Sequence, residues 1–543
     1  MERRLFLAIG LSMLVVWLYS INSPKTRPSS LSEVTEPFAN VDVTRIANKT
    51  KEQKSLTGLS GNQPDTVQKV MEEINVLESN KLSIETSNIG AALNKIWIKE
   101  YDATLPLEGI TTIAGYDNVN FVSQKNDDYS IQYTFEDNYT IIIKNYMIND
   151  ENYTIKSEIR FQNKRDMSKL VKVKIKSFII RMSNLDKKEN TLNKSEMRDK
   201  SLNEYVVHSE SGIYRKAGAF KFGTREKRDV SENVVWSGFR NRYYCLLLKP
   251  QYETSGYDII PVEDNSLEID IVAKEANVPA NGNVQFDSII YAGPEKVEIL
   301  EKYGLGFERI TRYYKFGLFD GIAKIIASLM RLLYKVIPNW GICIILISII
   351  IYFSMYPLTM RSMLSMKKMQ ALQPMIVKLK EKHKDNPQKM NKEMMELYKE
   401  NKVNPLGGCL PMLLQMPVFI GLYQVLWRSV AFKGAKFLWM KDLSQPDRLF
   451  IFPVSLPIIG NEFNLLPLIM VAVMFVQQKL SSKNMIVTDP NQASQQKMMA
   501  IIMPIFLGFI FYKFASGLTL YFTMFYFFST FTQWKLSKSV KAD

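Results

Sequence analysis

The sequence predicts an α-helical multi-pass membrane protein. It has a five-helix core, an N-terminal anchor helix and a large extracytoplasmic β-sandwich-like domain. Three observations predict this. Five apolar stretches crowd residues 338–535, and a sixth opens the chain at residues 5–21. Residues 80–300 instead alternate polar and apolar side chains in short segments. Basic residues gather beside the apolar stretches, as they do on the cytoplasmic side of a membrane.

Composition narrows the function classes. The 543 residues carry 69 Lys and Arg against 54 Asp and Glu, a balance of 69 − 54 = +15. A disulfide scaffold is excluded, because the three cysteines are Cys245, Cys343 and Cys409, and the last two sit inside apolar runs. The two histidines, His208 and His383, lie far apart, so no zinc-ligand spacing is visible. No Walker A loop, G-x-S-x-G elbow or dinucleotide fingerprint occurs. No metal, cofactor or catalytic residue is expected.

Residues 1–21 open with Arg3 and Arg4 before an apolar run. That pattern is a signal peptide or an anchor. The length of the run and the absence of a small-x-small cleavage site favour the anchor. The arginines stay inside, so the chain leaves the cytoplasm after Ile21. Residues 22–60 are polar and aperiodic, a flexible linker. Residues 61–317 form the β domain. Segments 129–135, 139–143, 171–176, 243–248, 267–272 and 284–291 alternate as strands do, with turns at 136–138 and at Asn281-Gly282. In 171–176 the alternation puts Lys172, Lys174 and Lys176 on one face, either a solvated face or a surface for an acidic partner.

Residues 318–337 repeat apolar positions in steps of three and four, from Ile322 to Val336. This amphipathic helix either lies in the membrane interface or packs on the β domain. Spans follow near 339–359, 409–430, 464–480, 498–513 and 517–534. Residues 360–408 between the first two are rich in lysine, including Lys367, Lys368, Lys378 and Lys380. A short basic loop belongs in the cytoplasm. Asp385-Asn386-Pro387 divides it into a helical hairpin. The basic tail, 536–543, suits the same side. The expected topology has both termini cytoplasmic and residues 22–337 on the opposite side of the membrane.

The helical half also carries distinctive strings. Asn404-Pro-Leu-Gly-Gly-Cys-Leu-Pro-Met-Leu-Leu-Gln-Met-Pro-Val-Phe-Ile-Gly-Leu-Tyr423 resembles the third-span signature of the bacterial YidC membrane protein insertases. Asn339-Trp-Gly341, Met355-Tyr-Pro-Leu-Thr359, Met369-Gln-Ala-Leu-Gln-Pro374, Asp489-Pro490, Gln496-Lys-Met-Met-Ala-Ile-Ile-Met-Pro504 and Ser516-Gly-Leu-Thr-Leu-Tyr521 are similar to other stretches of that family. Tyr291-Ala-Gly-Pro294 resembles the end of its periplasmic domain. The resemblance implies a protein that inserts and folds nascent membrane proteins without a cofactor, alone or beside the Sec translocon. It also implies that the membrane is the cell inner membrane and that residues 22–337 are periplasmic. The five clustered spans would enclose a hydrophilic groove open to the cytoplasm and to lipid. A wet groove lowers the cost of carrying unsatisfied polar groups across hydrocarbon.

Family positions carry over residue by residue. Many members place an arginine where this chain has Tyr352, so the buried positive charge of the groove is absent. Tyr352 and Ser348, one turn earlier, offer hydroxyls instead. Lys513 and Arg428, near the outer ends of the fifth and third spans, are candidate cations to compensate for the missing charge; the alternative is that both snorkel to the outer interface. Gln415 matches a polar groove position. Met416, Phe419 and Tyr423 match a greasy surface along which substrates slide, and Tyr521 and Phe522 match positions near substrate. For each, plain helix packing is the alternative. Ala515 replaces the family's proline. The hairpin lysines imply contact with ribosomal RNA or with anionic membrane lipid; nothing implies DNA.

Three rival readings stand beside this one. A multi-pass solute transporter or channel would call for inverted repeats or midplane charges. A membrane-anchored enzyme would call for clustered carboxylates or histidines in the β domain. A structural scaffold or chaperone overlaps with insertase work.

Overall fold

The computed structural model of the chain describes residues 71–180, 203–217, 228–262, 266–383, 386–401, 403, 410–456, 460–483 and 490–539. The expected anchor, the linker and Cys409 lie outside the described residues.

The β domain is built from alternation. Along Thr140–Ile148, buried and half-buried residues alternate without a break, as a strand with one face on a core requires. Nine antiparallel strands form one sheet, in the spatial order Gly212–Ala217, Glu204–Ser209, Val234–Arg240, Tyr244–Pro250, Asn283–Pro294, Thr154–Asn163, Thr140–Ile148, Ser130–Glu136 and Val122–Lys125. A five-stranded sheet runs Arg228–Val230, Thr254–Val262, Ser266–Ala273, Lys174–Ile180 and Leu107–Glu108. A four-stranded sheet is built from residues 74–104. Tyr133, Ile142, Trp236 and Phe239 of the large sheet share one core with Ile175, Phe178, Ile269 and Ile271 of the five-stranded one. The hydroxyls of Ser177 and Ser237 meet between those two sheets. Two sheets thus enclose a common interior.

Lys144 is fully buried in that interior. Its ammonium donates to the carbonyls of Ala91 and Thr111, both at 2.7 Å. Both acceptors belong to residues held at positive φ, 45° and 58°. The lysine satisfies carbonyls that a left-handed backbone turns inward. Burial holds its pKa well below the usual lysine range.

The lysine-bearing segment departs from expectation. Residues 171–176 are not one strand: Lys169–Val171 pairs with Ala276–Val278, and a second strand starts at Lys174. The stripe is not simply solvated either. Lys174 pairs with Asp258, Lys172 with Glu275, and Lys176 with Asp117 at 2.7 Å and Glu268 at 3.1 Å. Its acidic partners lie within the same domain.

Beyond Pro294 the chain turns helical. After α1 (Val297–Lys302) comes α2 (Gly317–Val336), then α3 (Trp340–Ala371). The hairpin helices are α4 (Gln373–Lys382) and α5 (Pro387–Glu400). Four more follow: α6 (Leu410–Arg428), α7 (Leu465–Lys483), α8 (Pro490–Phe511) and α9 (Ser516–Ser539). Helix α3 continues past Pro357, so the hairpin opens at Gln373 and not at Met360. Asn386 caps α5 by accepting from the amide of Lys389, with Pro387 at the first helical position. His383 meets Glu393 at 3.0 Å across the hairpin.

Helix α2 packs on α6 and α3. It buries Ala323, Ile326, Ala327 and Met330 and leaves Leu318, Ile325, Leu332 and Val336 exposed. Gly421 of α6 permits the approach, since a Cβ there would stand 3.2 Å from the Ala323 amide nitrogen. At Gly341, a Cβ would collide with the ring of Phe437, which explains the glycine of the Asn-Trp-Gly string.

Among the described residues, one helical stretch is long and apolar enough to cross a bilayer: Trp340–Ser362, 23 residues of mean hydropathy 2.2. Leu465–Leu480 and Ala500–Phe511 are shorter apolar stretches.

Candidate functional site

The helical bundle is organised around α9. Every turn or two, α9 carries a hydroxyl that donates to the carbonyl four residues back: Thr519 to Ala515, Thr523 to Thr519, Thr530 to Tyr526, and Thr532 to Phe528. A hydroxyl bonded to its own helix is satisfied as a donor and keeps its lone pairs for another group.

Three neighbouring helices use hydroxyls of α9 as acceptors. From α3, the Tyr352 hydroxyl donates to Thr532 Oγ1 at 2.7 Å. From α6, Gln415 Nε2 donates to the Tyr521 hydroxyl at 2.7 Å. From α7, Gln477 Nε2 donates to Ser529 Oγ at 2.8 Å. Tyr521 and Thr532 are eleven residues apart, roughly 16 Å along a helix. The result is a polar seam running lengthwise through the bundle.

The expected groove residues divide into two groups. Ser348, Tyr352 and Tyr521 are buried, and their hydroxyls already have partners; that of Ser348 donates to Ile344 of its own helix at 2.6 Å. These three are buried at positions where helices pack together. Gln415 is half-buried and belongs to the seam. Met416 is exposed, and Phe419, Tyr423 and Phe522 are half-buried. They join in an aromatic ladder: Phe419 meets Phe522 at 5.2 Å, Tyr423 meets Phe514 at 5.8 Å, and Tyr423 stacks on Trp427 at 5.4 Å. An aromatic track therefore runs along α6 from Phe419 through Tyr423 to Trp427.

Neither candidate cation reaches Tyr352. Lys513 is exposed. Arg428 donates to the Arg312 carbonyl at 3.2 Å and to Gln424 at 3.1 Å, at the border with the β domain. Of the lysines expected in the hairpin, Lys368 lies near the end of α3 and Lys378 on α4, both exposed; the side chains of Lys367, on α3, and Lys380, on α4, lie outside the described set. Gln477 and Ser529 were not anticipated. Gln477 stands next to Gln478 and Lys479 at the polar end of a short apolar run, and its partner lies 52 residues away.

The β domain grips the same bundle. Arg242 donates to the carbonyls of Trp427, at 2.7 Å, and Ser444, at 3.4 Å. Lys433 donates to the Tyr244 hydroxyl at 2.9 Å. Nearby, Arg240 pairs with Glu295 at 2.9 Å. Burial raises the Glu295 carboxyl, while Arg240 and Arg428 act in the opposite direction.

Comparisons with known proteins converge on this architecture. Residues 115–329 match the family model for the YidC periplasmic domain, and residues 332–543 match that for the 60Kd inner membrane protein. A membrane protein insertase YidC from Pelobacter propionicus is 36% identical over 334 residues, 58% of this chain and 58% of the relative. One from a Geobacter species is 38% identical over 292 residues, 53% of this chain and 50% of the relative. The chain spans about half the length of these relatives in the matched segments. A crystal structure of an active YidC insertase is 20% identical, with 85% of this chain and 94% of that chain covered at a TM-score of 0.37. With residues 115–329 and 332–543 each matched by one of these family models and YidC insertases among its relatives, the chain belongs to the YidC family.

Proposed function

We propose that this protein inserts and folds membrane proteins, with α3, α6, α7, α8 and α9 crossing the inner membrane and the β domain on the periplasmic face. The observation that carries the reading is a bundle whose outer surface is apolar while hydroxyls sit inside it. Ser348, Thr519, Thr523 and Ser529 are buried between helices, while Phe353, Ile501, Ile505, Phe509 and Phe531 are exposed. In water such a distribution is unfavourable; in hydrocarbon it is the expected one. The shorter spans fit a thinned bilayer. Nineteen residues of α6 or α7 extend about 28 Å, close to the hydrocarbon thickness of ~30 Å.

The seam supplies the chemistry. An entering segment brings backbone and side-chain donors that cost several kcal/mol each if left unsatisfied in lipid. Acceptor hydroxyls on α9 take those donors when Tyr352, Gln415 or Gln477 yields its place. One hydrogen bond replaces another, so the exchange is nearly neutral. The apolar part of the guest leaves along Met416, Phe419 and Tyr423 into lipid. Burial of its apolar surface at ~25 cal/mol per Å² drives the step. No fixed positive charge is required, which suits a tyrosine at position 352. The exposed Lys368 and Lys378 support a hairpin that meets anionic lipid or a ribosome; the Sec translocon is a further partner of this reading.

Reconstitution tests the proposal. Purified full-length protein in proteoliposomes should insert short single-span substrates that empty liposomes do not accept. A preparation that is folded but gives the same protease protection as empty liposomes would reject it.

A further inference from the structure

Where the β domain meets α2, a cleft of about 490 Å³ opens. Its walls hold five cations, Arg215, Arg309, Arg312, Lys324 and Arg331, against two carboxylates, Glu308 and Asp320. Two of the cations are paired, which leaves Arg215, Arg309 and Arg312 against Glu308 in the wall. Lys324 pairs with Asp320 at 2.9 Å, and Arg331 pairs with Glu298 at 2.9 Å. Arg215 donates to the carbonyls of Arg309 and Ile310, and Arg312 to those of Tyr314 and Lys315, all neutral acceptors. Glu204 reaches Arg215 only at 4.0 Å. The guanidinium of Arg309 is exposed and has no partner among the described residues. Burial, with Arg240 and Arg312 close by, pushes the Arg215 guanidinium down to about 10.

The second observation is what borders the cleft. Lys324 and Arg331 line it, and their sequence neighbours Ile325 and Leu332 are exposed on α2 with Leu318 and Val336. An anion site and an uncovered apolar strip therefore share one helix, a residue apart. A ligand suited to both has a phosphate at one end and hydrocarbon at the other.

We propose that this cleft binds the phosphate headgroup of an anionic phospholipid of the outer leaflet, with the acyl chains lying along α2. Arg309 supplies the free charge-assisted donors, and Arg215 and Arg312 supply a fixed positive field. The inference rests on the membrane reading above, because α2 must lie at the lipid surface.

The test uses full-length protein in a neutral detergent. Dioctanoylphosphatidylglycerol and dioctanoylphosphatidylcholine are added separately, and retained lipid is counted by native mass spectrometry. One phosphatidylglycerol per chain is expected, retained at least fivefold over phosphatidylcholine. Arg309→Glu should cut retention at least fivefold, whereas Arg309→Lys should keep it. Lys302→Glu, an exposed change outside the cleft, should also keep it. Equal losses in Arg309→Glu and Lys302→Glu would overturn the proposal. So would the absence of a preference, or displacement by sodium phosphate at matched ionic strength, which would mark a free-anion site. A separate arm measures Ile325→Trp quenching by brominated phosphatidylcholine in neutral vesicles. Without extra quenching over the parent protein, the membrane placement of α2 fails. Quenching without a phosphatidylglycerol preference removes the headgroup site alone.

Discussion

The two halves of the molecule satisfy their buried polar groups in different ways. In the β domain Lys144 and Arg240 are buried charges with dedicated partners: Lys144 has two carbonyls, and Arg240 has Glu295. In the helical half the core is apolar too, around Leu422 and Met470, and the polar groups set into it include hydroxyls such as Ser348 and Thr523 that bond to their own helix, while large apolar side chains also face out. On the membrane placement proposed above, the solvent each half meets explains the contrast. Water drives apolar groups together, so the β domain closes around Trp236 and Tyr291. Lipid supplies no such drive, and helices associate through small contacts and hydrogen bonds. Hydroxyls that bond back to their own helix lose little when a neighbour departs. The Thr111 carbonyl, once it loses Lys144, has no second donor among the described residues, whereas Ala91 keeps Tyr146.

This difference can be broken or sharpened by substitution. The largest effect is expected for Lys144→Met. It strips the donor from Thr111 and one of two donors from Ala91, at a cost of about 2–5 kcal/mol. Thermal unfolding of the β domain should shift down by several degrees or more; an unchanged midpoint would dissolve the contrast.

Second is Asp270, buried and opposite both Asp258 and Lys176 across the sheet. Burial and then the neighbouring Glu268 push its carboxyl up to about 7. Its unfolded value is near 4, so between these limits the folded state binds the extra proton. Stability therefore falls as pH rises from about 4 to about 7. Asp270→Asn should flatten that slope and stabilise the protein at pH 8 by about 2–4 kcal/mol. Denaturant midpoints at pH 5 and pH 8 measure it.

Gly341→Ala comes next, forcing a methyl against Phe437, with an expected cost of about 1–3 kcal/mol in bundle stability. The smallest effect belongs to the seam. Tyr352→Phe removes one interhelical bond and should cost only about 0.6 kcal/mol. In the reconstituted assay, Tyr352→Ala should reduce insertion less than threefold. Complete loss from a folded variant would mean that this hydroxyl pair does more than hold helices together.

Much of the fold was legible because it is periodic. The strand at 140–148 follows from its alternation, and α6 to α9 each begin or end within a few residues of their apolar runs, apart from the start of α8. Two boundaries were not legible. The Val-Lys repeat continues through a break in pairing that only the partner strands impose. The first span was expected to end near residue 359, where the apolar run gives way to basic residues, yet α3 runs on to Ala371, because those residues also favour helix. The candidate site was half visible. Residue types on α6 and α9 could be named from the strings, but not which were already bonded. Tyr352 and Thr532 are 180 positions apart, and no local pattern pairs them. The same holds for the basic cleft, whose walls come from a strand near 215, a turn near 309 and a helix near 324.

Arg242 has one further implication. Its donors hold two main-chain oxygens, one near the end of α6 and one in the connection beyond it. Excising the sheet domain would leave the Trp427 and Ser444 oxygens without that clamp and strip Arg428 of its anchor on Arg312. A truncated protein should therefore be judged as a bundle with a loosened rim, and any defect it shows assigned to the rim before it is assigned to the missing domain.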